Sequence, residues 1–149
     1  MSFFHLVRPA LFLLSPERAH QFTVNALQFL PLLSRPSEDA EILFSKVVGL
    51  SFPNPVGLAA GFDKDAHVPQ QVLGLGFGFV EVGTLTPKPQ SGNPQPRLFR
   101  LAEDRAVINR MGFNNGGQID AYPRLRAARM KRPGIIGVNI GANKESVDR

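Results

Sequence analysis

The sequence contains no cysteine, and this absence excludes several classes of function at once. Disulfide bridges, zinc sites with thiolate ligands, iron–sulfur clusters and thiol nucleophiles all require cysteine. The three histidines lie at positions 5, 20 and 67, without the short spacing that metal ligands show. We therefore predict no metal site.

The chain also lacks a long apolar run. About 18 consecutive apolar residues are needed to span a bilayer as a helix, whereas the longest run near the start of the chain is Ala10–Leu14. Pro16, Glu17 and Arg18 follow this run, where a signal peptide would have its small-residue cleavage site. We predict neither a membrane-spanning helix nor a signal peptide.

The composition that remains is that of a globular protein. Of the 149 residues, 43% are hydrophobic and 19% are charged, as in one domain of ordinary size. The net charge is +5, and residues 97–132 hold nine Lys and Arg residues against three acids, a local net charge of +6. A basic region suits nucleic acid, anionic lipid, an anionic small ligand or simply a solvated face. Because no nucleic-acid-binding module is recognisable, we predict no nucleic acid partner.

Residues 1–36 have a helical pattern in two pieces. Pro9 is predicted to kink or break the first helix, and Ser15 to cap a second helix that begins with Pro16. The second helix places one apolar stripe at steps of three and four residues: Ala19, Phe22, Ala26, Phe29, Leu30 and Leu33. The two helices either pack as a hairpin on their own domain or form a patch that enters a membrane surface and admits an apolar ligand.

Residues 37–149 alternate apolar runs with helical stretches. The runs KVVGLSF and PVGLAAG are followed by strands predicted at 77–84 and 134–141, with helices near 68–75 and 116–131 between them. Continuous apolar strands that alternate with helices indicate a parallel α/β sheet. The segment GLGFGF precedes a strand, whereas a dinucleotide-binding loop must follow one, so we do not predict nucleotide binding there.

Polar residues follow three predicted strands at their carboxyl ends: Lys64, Thr84 and Asn139. In a parallel barrel such positions share the active face. A lysine held there can stabilise negative charge on a ligand; the alternative is a solvated lysine paired with Asp63 or Asp65. Asn139 lies in an apolar run, where a buried amide needs hydrogen-bond partners. We interpret the three residues as one constellation.

The stretch VINRMGFNN, residues 107–115, combines planar amides, an aromatic ring and glycine. It is too polar for a buried strand and too rich in Asn and Gly for the interior of a helix. We therefore predict a loop, which either connects two elements at the surface or binds a flat polar ligand.

Four stretches together resemble one family. NPVGLAAGFDKD, GFVEVGTLTPKPQSGNPQPRLFRL, INRMGFNN and GVNIGANK are similar, in this order, to motifs of the class 2, quinone-dependent dihydroorotate dehydrogenases. LSPERAHQFT resembles the N-terminal helical segment of that class, which the soluble class 1 enzymes lack. The resemblance covers nearly the whole chain.

The resemblance implies an α/β fold in which residues 37–149 are the first part of an FMN-binding (β/α)8 barrel. The two-helix segment 1–36 would contact the membrane and the quinone. The implied reaction is the oxidation of (S)-dihydroorotate to orotate in pyrimidine synthesis, with ubiquinone or a related quinone as electron acceptor. The implied location is peripheral, at the cytoplasmic face of the inner membrane.

A barrel of this type takes ~250 residues, so we expect the chain to be an N-terminal fragment that is inactive alone. The alternative is a non-catalytic remnant or an interaction module without flavin.

The resemblance also implies site residues, by matched position. Those implied to bind the flavin are Ala60, Gly61, Phe62, Asp63, Lys64, Thr84 and Asn139. Those implied to bind the substrate are Lys64, Asn109, Arg110, Met111, Gly112 and Phe113. The catalytic base of the class is a serine, which is expected beyond Arg149. In this interpretation the amides of the VINRMGFNN stretch match the imide and carboxylate edges of orotate.

Overall fold

The structure, a computed structural model, describes residues 3–31, 39–131 and 133–146. Leu33 of the predicted apolar stripe and the predicted boundary between residues 36 and 37 lie outside the described residues. Within these ranges no helix is both long enough and apolar enough to cross a bilayer.

Two helices precede the α/β body: α1 spans Phe3–Leu13 and α2 spans Pro16–Phe29. Pro9 was predicted to kink or break this helix, and a break does not occur, because α1 continues through this residue. A proline inside a helix removes one backbone hydrogen bond, and the turns on both sides form in spite of it. Ser15 precedes α2 as predicted, but its side chain makes no capping hydrogen bond.

The apolar stripe predicted for α2 does not face the body of the protein. Of its described members only Ala19 is buried, whereas Phe22 and Phe29 are 58% and 88% exposed. The face that packs is marked by Val24, which belongs to the buried core, and by Leu27, which packs against that core. Because α2 carries apolar residues on more than one face, periodicity alone could not decide which face is buried.

A β-hairpin follows, where the sequence suggested one continuous apolar run. A short 3-10 helix at Glu41–Leu43 leads into β1 (Ser45–Val47), which pairs antiparallel with β2 (Leu50–Phe52). The two residues between the strands, Val48 and Gly49, both have positive φ. This is the backbone geometry that tight two-residue hairpin turns require.

The central sheet is parallel, as predicted. It contains β3 (Gly57–Leu58), β4 (Phe79–Leu85) and β7 (Ile135–Ile140) in the order β3-β4-β7. Helix α3 (Pro69–Gly74) lies between β3 and β4 in the chain, and α4 (Gln118–Lys131) precedes β7. The core forms where α3, β4 and α2 meet, around Val24, Val68, Val72, Leu73 and Val80.

A second hairpin leaves the sheet after β4. Strand β5 (Leu98–Leu101) pairs antiparallel with β6 (Ala106–Asn109). The prediction of a loop throughout 107–115 is therefore wrong for its first three residues, which belong to β6. All four residues of β6 are exposed, and an exposed strand can carry polar side chains that a buried strand cannot. Residues 110–117 form the loop that connects β6 to α4.

Candidate active site

A cavity of about 570 Å³ opens at the carboxyl ends of β3 and β4. Two walls face each other across it. One wall is formed by residues that follow the parallel strands, and the other by the second hairpin and the loop after it. The lining residues are His20, Ala60, Gly61, Lys64, Thr84, Asn93, Leu98, Asn109, Arg110, Met111, Gly112 and Phe113.

The first wall contains four of the residues predicted to bind the flavin. Ala60 and Gly61 expose backbone there, next to Lys64 and Thr84. The segment is fixed to β4 by two backbone hydrogen bonds: Gly61 N–H donates to the Gly83 carbonyl at 2.8 Å, and Gly83 N–H donates to the Asp63 carbonyl at 2.9 Å. The wall is therefore held by the central strand of the sheet.

Lys64 places a half-buried ammonium group in this wall. Burial lowers the pKa of Lys64, and the charge of Arg97 lowers it further. Asp65, one of the two carboxylates considered as its partner, acts in the opposite direction, as does Glu17. A cation that has lost part of its hydration gains more from a negatively charged ligand than a solvated lysine does.

Thr84 and Asn139 meet at the ends of β4 and β7. The Thr84 hydroxyl donates to Asn139 Oδ1 at 2.7 Å, and Asn139 Nδ2 donates to Glu81 Oε1 at 3.4 Å. The partners that Asn139 was predicted to need are thus supplied by the protein. Thr84 lines the cavity, whereas Asn139 lies behind it.

Asp63 and Phe62 also lie behind the cavity wall. The Asp63 carboxylate accepts the backbone N–H groups of His67 and Val68 at 2.7 and 2.8 Å. Burial raises the pKa of Asp63, and these two hydrogen bonds oppose the change. The ring of Phe62 stacks edge-on against His20, with centroids 5.5 Å apart. In the structure both residues hold the segment around Lys64 in place.

The opposite wall contains all five residues of the predicted substrate loop, Asn109–Phe113. Buried Asn115 fixes the end of this loop to the sheet: it donates to the Phe113 carbonyl at 2.7 Å and accepts the Thr86 N–H at 3.1 Å. Asp65 reaches the same region, since its carboxylate accepts the Gly116 N–H at 2.6 Å. The loop is therefore tied to both β4 and the segment that follows β3.

His20 completes the cavity from α2, although no sequence motif indicated it as a site residue. Its Nε2 lies 2.7 Å from the Phe62 carbonyl oxygen. His20 lies four residues before Val24 and seven before Leu27, a spacing that places all three on the packed face of α2. This spacing is the signal that could have indicated that His20 faces the interior. Asn93 and Leu98 were also missed, because contacts between distant segments bring them to the cavity: Leu98 pairs with Asn109 of β6, and Asn93 bonds to the carbonyls of Arg110 and Met111.

The arrangement suits a flat, polar, anionic ligand. One wall supplies backbone, a hydroxyl group and a cation, and the other supplies amides, backbone groups and an aromatic ring. Within the described ranges no group of three or more His, Asp or Glu side chains has the arrangement needed to hold a metal ion.

Residues 42–149 match the family described as dihydroorotate dehydrogenase. A protein from Erythrobacter litoralis named dihydroorotate dehydrogenase (quinone) is 62% identical over 146 residues, which are 98% of this chain and 42% of that protein. A protein of the same name from Bradyrhizobium diazoefficiens is 60% identical, over 95% of this chain and 38% of its own length. The chain thus spans about two fifths of the length of these relatives.

Solved structures that are similar to this chain belong to the same family. The crystal structure of DHODH from Eimeria tenella in complex with ferulenol matches with a TM-score of 0.81 and 48% identity, over 90% of this chain and 38% of that one. The ligand-free form from the same organism also gives a TM-score of 0.81. These matches confirm the predicted fold class, the first part of a TIM barrel preceded by two short helices.

Proposed function

This chain belongs to the dihydroorotate dehydrogenase family, and we propose that it supplies the first part of an active site that oxidises (S)-dihydroorotate to orotate for pyrimidine synthesis, with a quinone as electron acceptor. The observation that carries the proposal is the cavity itself. It brings Lys64 and Thr84, from the ends of the parallel strands, opposite the loop Asn109–Phe113.

The first wall fits FMN. A volume of about 570 Å³ lies within the range of small-molecule sites. Ala60 and Gly61 carry no side chain beyond Cβ, so a planar ring can approach their backbone closely. When bound, the flavin accepts a hydride from the substrate. Lys64 is placed to stabilise the negative charge that then develops.

The second wall fits the substrate, a planar anion that presents carbonyl and N–H groups. An asparagine amide offers one acceptor and two donor hydrogens, and so pairs with both kinds of group. Asn109 supplies such an amide at the cavity. Lys64 faces the same cavity, so its cation serves the substrate as well as the cofactor. We assign no catalytic base to the described residues that line this cavity; the family resemblance implies a serine, expected beyond Arg149, for this role.

The N-terminal helices fit a membrane surface. Leu6, Leu13, Phe22 and Phe29 on α1 and α2 are largely exposed, the last at 88%. Apolar side chains exposed on short helices favour peripheral attachment, in which the helices lie in the interface without spanning the bilayer. The proposal is that this surface holds the protein at the cytoplasmic face of the inner membrane, where it takes up ubiquinone or a related quinone.

The proposal is tested on the full-length protein that contains this chain. It should purify with FMN, bind orotate and reduce a soluble quinone analogue with dihydroorotate as donor. A protein that folds but binds neither FMN nor orotate would contradict the proposal and would favour an interaction module without flavin.

A further inference from the structure

Arg97 is a buried arginine that connects two distant parts of the chain, with 8% of its surface exposed. Its Nε and Nη2 both donate to the carboxylate of Glu17 in the first turn of α2, at 3.1 and 2.5 Å. Its Nη1 donates to the carbonyl oxygens of Ser91 and Asn93, at 2.5 and 2.9 Å. The planar guanidinium, which can bind a carboxylate in a bidentate manner, therefore joins α2 to the loop before β5.

Asn93, which Arg97 binds, is itself hydrogen-bonded to the candidate substrate loop. Its backbone N–H donates to the Met111 carbonyl at 3.0 Å, and its side-chain Nδ2 donates to the Arg110 carbonyl at 2.8 Å. The two loops are in close contact here. A Cβ on Gly112 would lie 2.8 Å from Asn93 Cγ, and Gly112 also has a φ of +72°. Only glycine fits this position without displacing the neighbouring loop.

Arg97 also contacts the substrate loop directly, through its own backbone. Its carbonyl oxygen accepts the N–H of Arg110 at 2.9 Å, at the point where β6 ends and the loop begins. The Arg97 side chain and main chain thus hold the loop from two directions. Of the residues in this network, Asn93, Arg110 and Met111 line the cavity.

Glu17 lies on α2, the helix that contributes His20 to the cavity. It lies three residues before His20, about one helical turn, and His20 lines the same cavity. Gln95 adds a further bond to the Glu17 carboxylate, at 3.2 Å. The contact between Glu17 and Arg97 therefore fixes α2, which forms one side of the cavity, relative to the loop that forms another.

We propose that Arg97 is a positioning residue for the loop Asn109–Phe113 and that Glu17 is its anchor in the N-terminal helical segment. This segment then supports substrate binding, in addition to its role at the membrane surface. The inference rests on the proposed function, because it concerns the loop assigned to the substrate. Small displacements of a group that contacts substrate have large effects on binding and rate, so release of this anchor should weaken orotate binding by about 5- to 30-fold, within the usual range of coupling between sites.

The experiment uses the full-length protein, three single variants and one double variant. Glu17→Gln removes the charge of the anchor with little change in shape, and Arg97→Gln removes the guanidinium. Arg100→Gln is the matched control: Arg100 also binds the N-terminal segment, through the Leu14 carbonyl at 2.9 Å and the ring of Phe12. Neither of those contacts involves the loops at 91–93 or 109–113.

Orotate affinity is measured by calorimetry, and hydrogen exchange is measured in the peptide that covers residues 107–115. Glu17→Gln and Arg97→Gln should weaken orotate binding and speed exchange in this peptide, whereas Arg100→Gln should leave both within about twofold of the wild type. In turnover, Glu17→Gln should raise the KM for dihydroorotate while single-turnover flavin reduction at saturating substrate changes less. The double variant Glu17→Gln/Arg97→Gln should bind orotate no more weakly than Arg97→Gln alone, because both substitutions break the same connection.

Two negative results have different meanings. If the wild-type protein does not bind orotate, the proposed function fails. If the wild type binds orotate and Glu17→Gln binds it equally well, with unchanged exchange at residues 107–115, the positioning role is refuted. Glu17 is only partly buried, so its substitution by Gln leaves a folded protein even if Arg97→Gln does not.

Discussion

Replacement of Asp63 with alanine tests how the fold supports the candidate active site. Asp63 is 1% exposed, and its carboxylate accepts the backbone N–H groups of His67 and Val68. Asp63 directly precedes Lys64, and Val68 directly precedes α3. The substitution therefore removes the contact that orders the segment between the cavity wall and the core, without removing a side chain that lines the cavity.

The expected loss of stability follows from the two amides. A buried donor that loses its acceptor costs about 1–3 kcal/mol. Val68 is completely buried, whereas His67 is half-buried, so water can replace part of the lost bond only at His67. The burial that raises the pKa of Asp63 also shows that its charge is costly to desolvate, and removal of that charge offsets part of the loss. We expect Asp63→Ala to lower the free energy of unfolding by about 2–4 kcal/mol.

Urea unfolding of the full-length protein, with saturating FMN in every sample, measures this change. Asp104→Ala is the control, because Asp104 is an exposed carboxylate in the turn between β5 and β6. It loses the same charge and should change stability by less than about 0.5 kcal/mol. If the two proteins unfold at the same urea concentration once FMN is omitted from every sample, but Asp63→Ala no longer binds FMN, the carboxylate acts on the cofactor and the structural assignment is refuted.

Four further predictions concern the same full-length protein. Lys64→Ala should slow single-turnover flavin reduction in stopped-flow measurements, and a wild-type rate would reject its electrostatic role. Asn109→Ala should weaken orotate binding by about 1–3 kcal/mol in calorimetry if one buried partner loses its bond; normal binding would make the loop a mere connection. The double substitution Phe22→Glu/Phe29→Glu should release the protein from anionic liposomes in a sedimentation assay without lowering its unfolding midpoint, since both rings are exposed; retained binding would contradict the membrane proposal. The hydrogen bond from the Arg97 guanidinium lowers the pKa of Glu17 below its ordinary value of 4.5. Its stabilisation is therefore present above that pH and is lost as the pH falls through the folded-state pKa. The stability difference between wild type and Glu17→Gln should shrink as the pH is lowered below 4.5, and a constant difference would contradict the ion pair.

The local pattern of the sequence predicted the elements whose type is visible in one continuous stretch of the chain. Strands β4 and β7 are parallel and lie where continuous apolar runs placed them. Helices α3 and α4 begin and end within two positions of the predicted residues. In each case a single local signal, an apolar run or a helical period, agrees with the tertiary contacts that the element makes.

Prediction from the sequence failed where the local pattern is compatible with two structures and a contact with a distant segment determines which one forms. Helix α2 has apolar residues on two faces, and the face that packs is the one that carries His20 and Val24. Strand β6 is exposed along its whole length and exists because β5 pairs with it. Neither choice is visible in a window of 10 or 15 residues, because the deciding partner lies outside it.

The role of the basic region could not be predicted from the sequence for the same reason: the partners of its arginines lie elsewhere in the chain. Nine Lys and Arg residues between 97 and 132 suggested a polyanionic partner as one option, yet four of these arginines donate to backbone carbonyls of the chain itself. The acceptors are Ser91 and Asn93 for Arg97, Leu14 for Arg100, Pro96 for Arg110 and Asp65 for Arg124. Loops that follow parallel strands leave carbonyl oxygens without ladder partners, and these groups need donors. Because guanidinium provides several donors in a rigid plane, an arginine-rich stretch is one way to hold such loops in the fixed arrangement that a binding site needs.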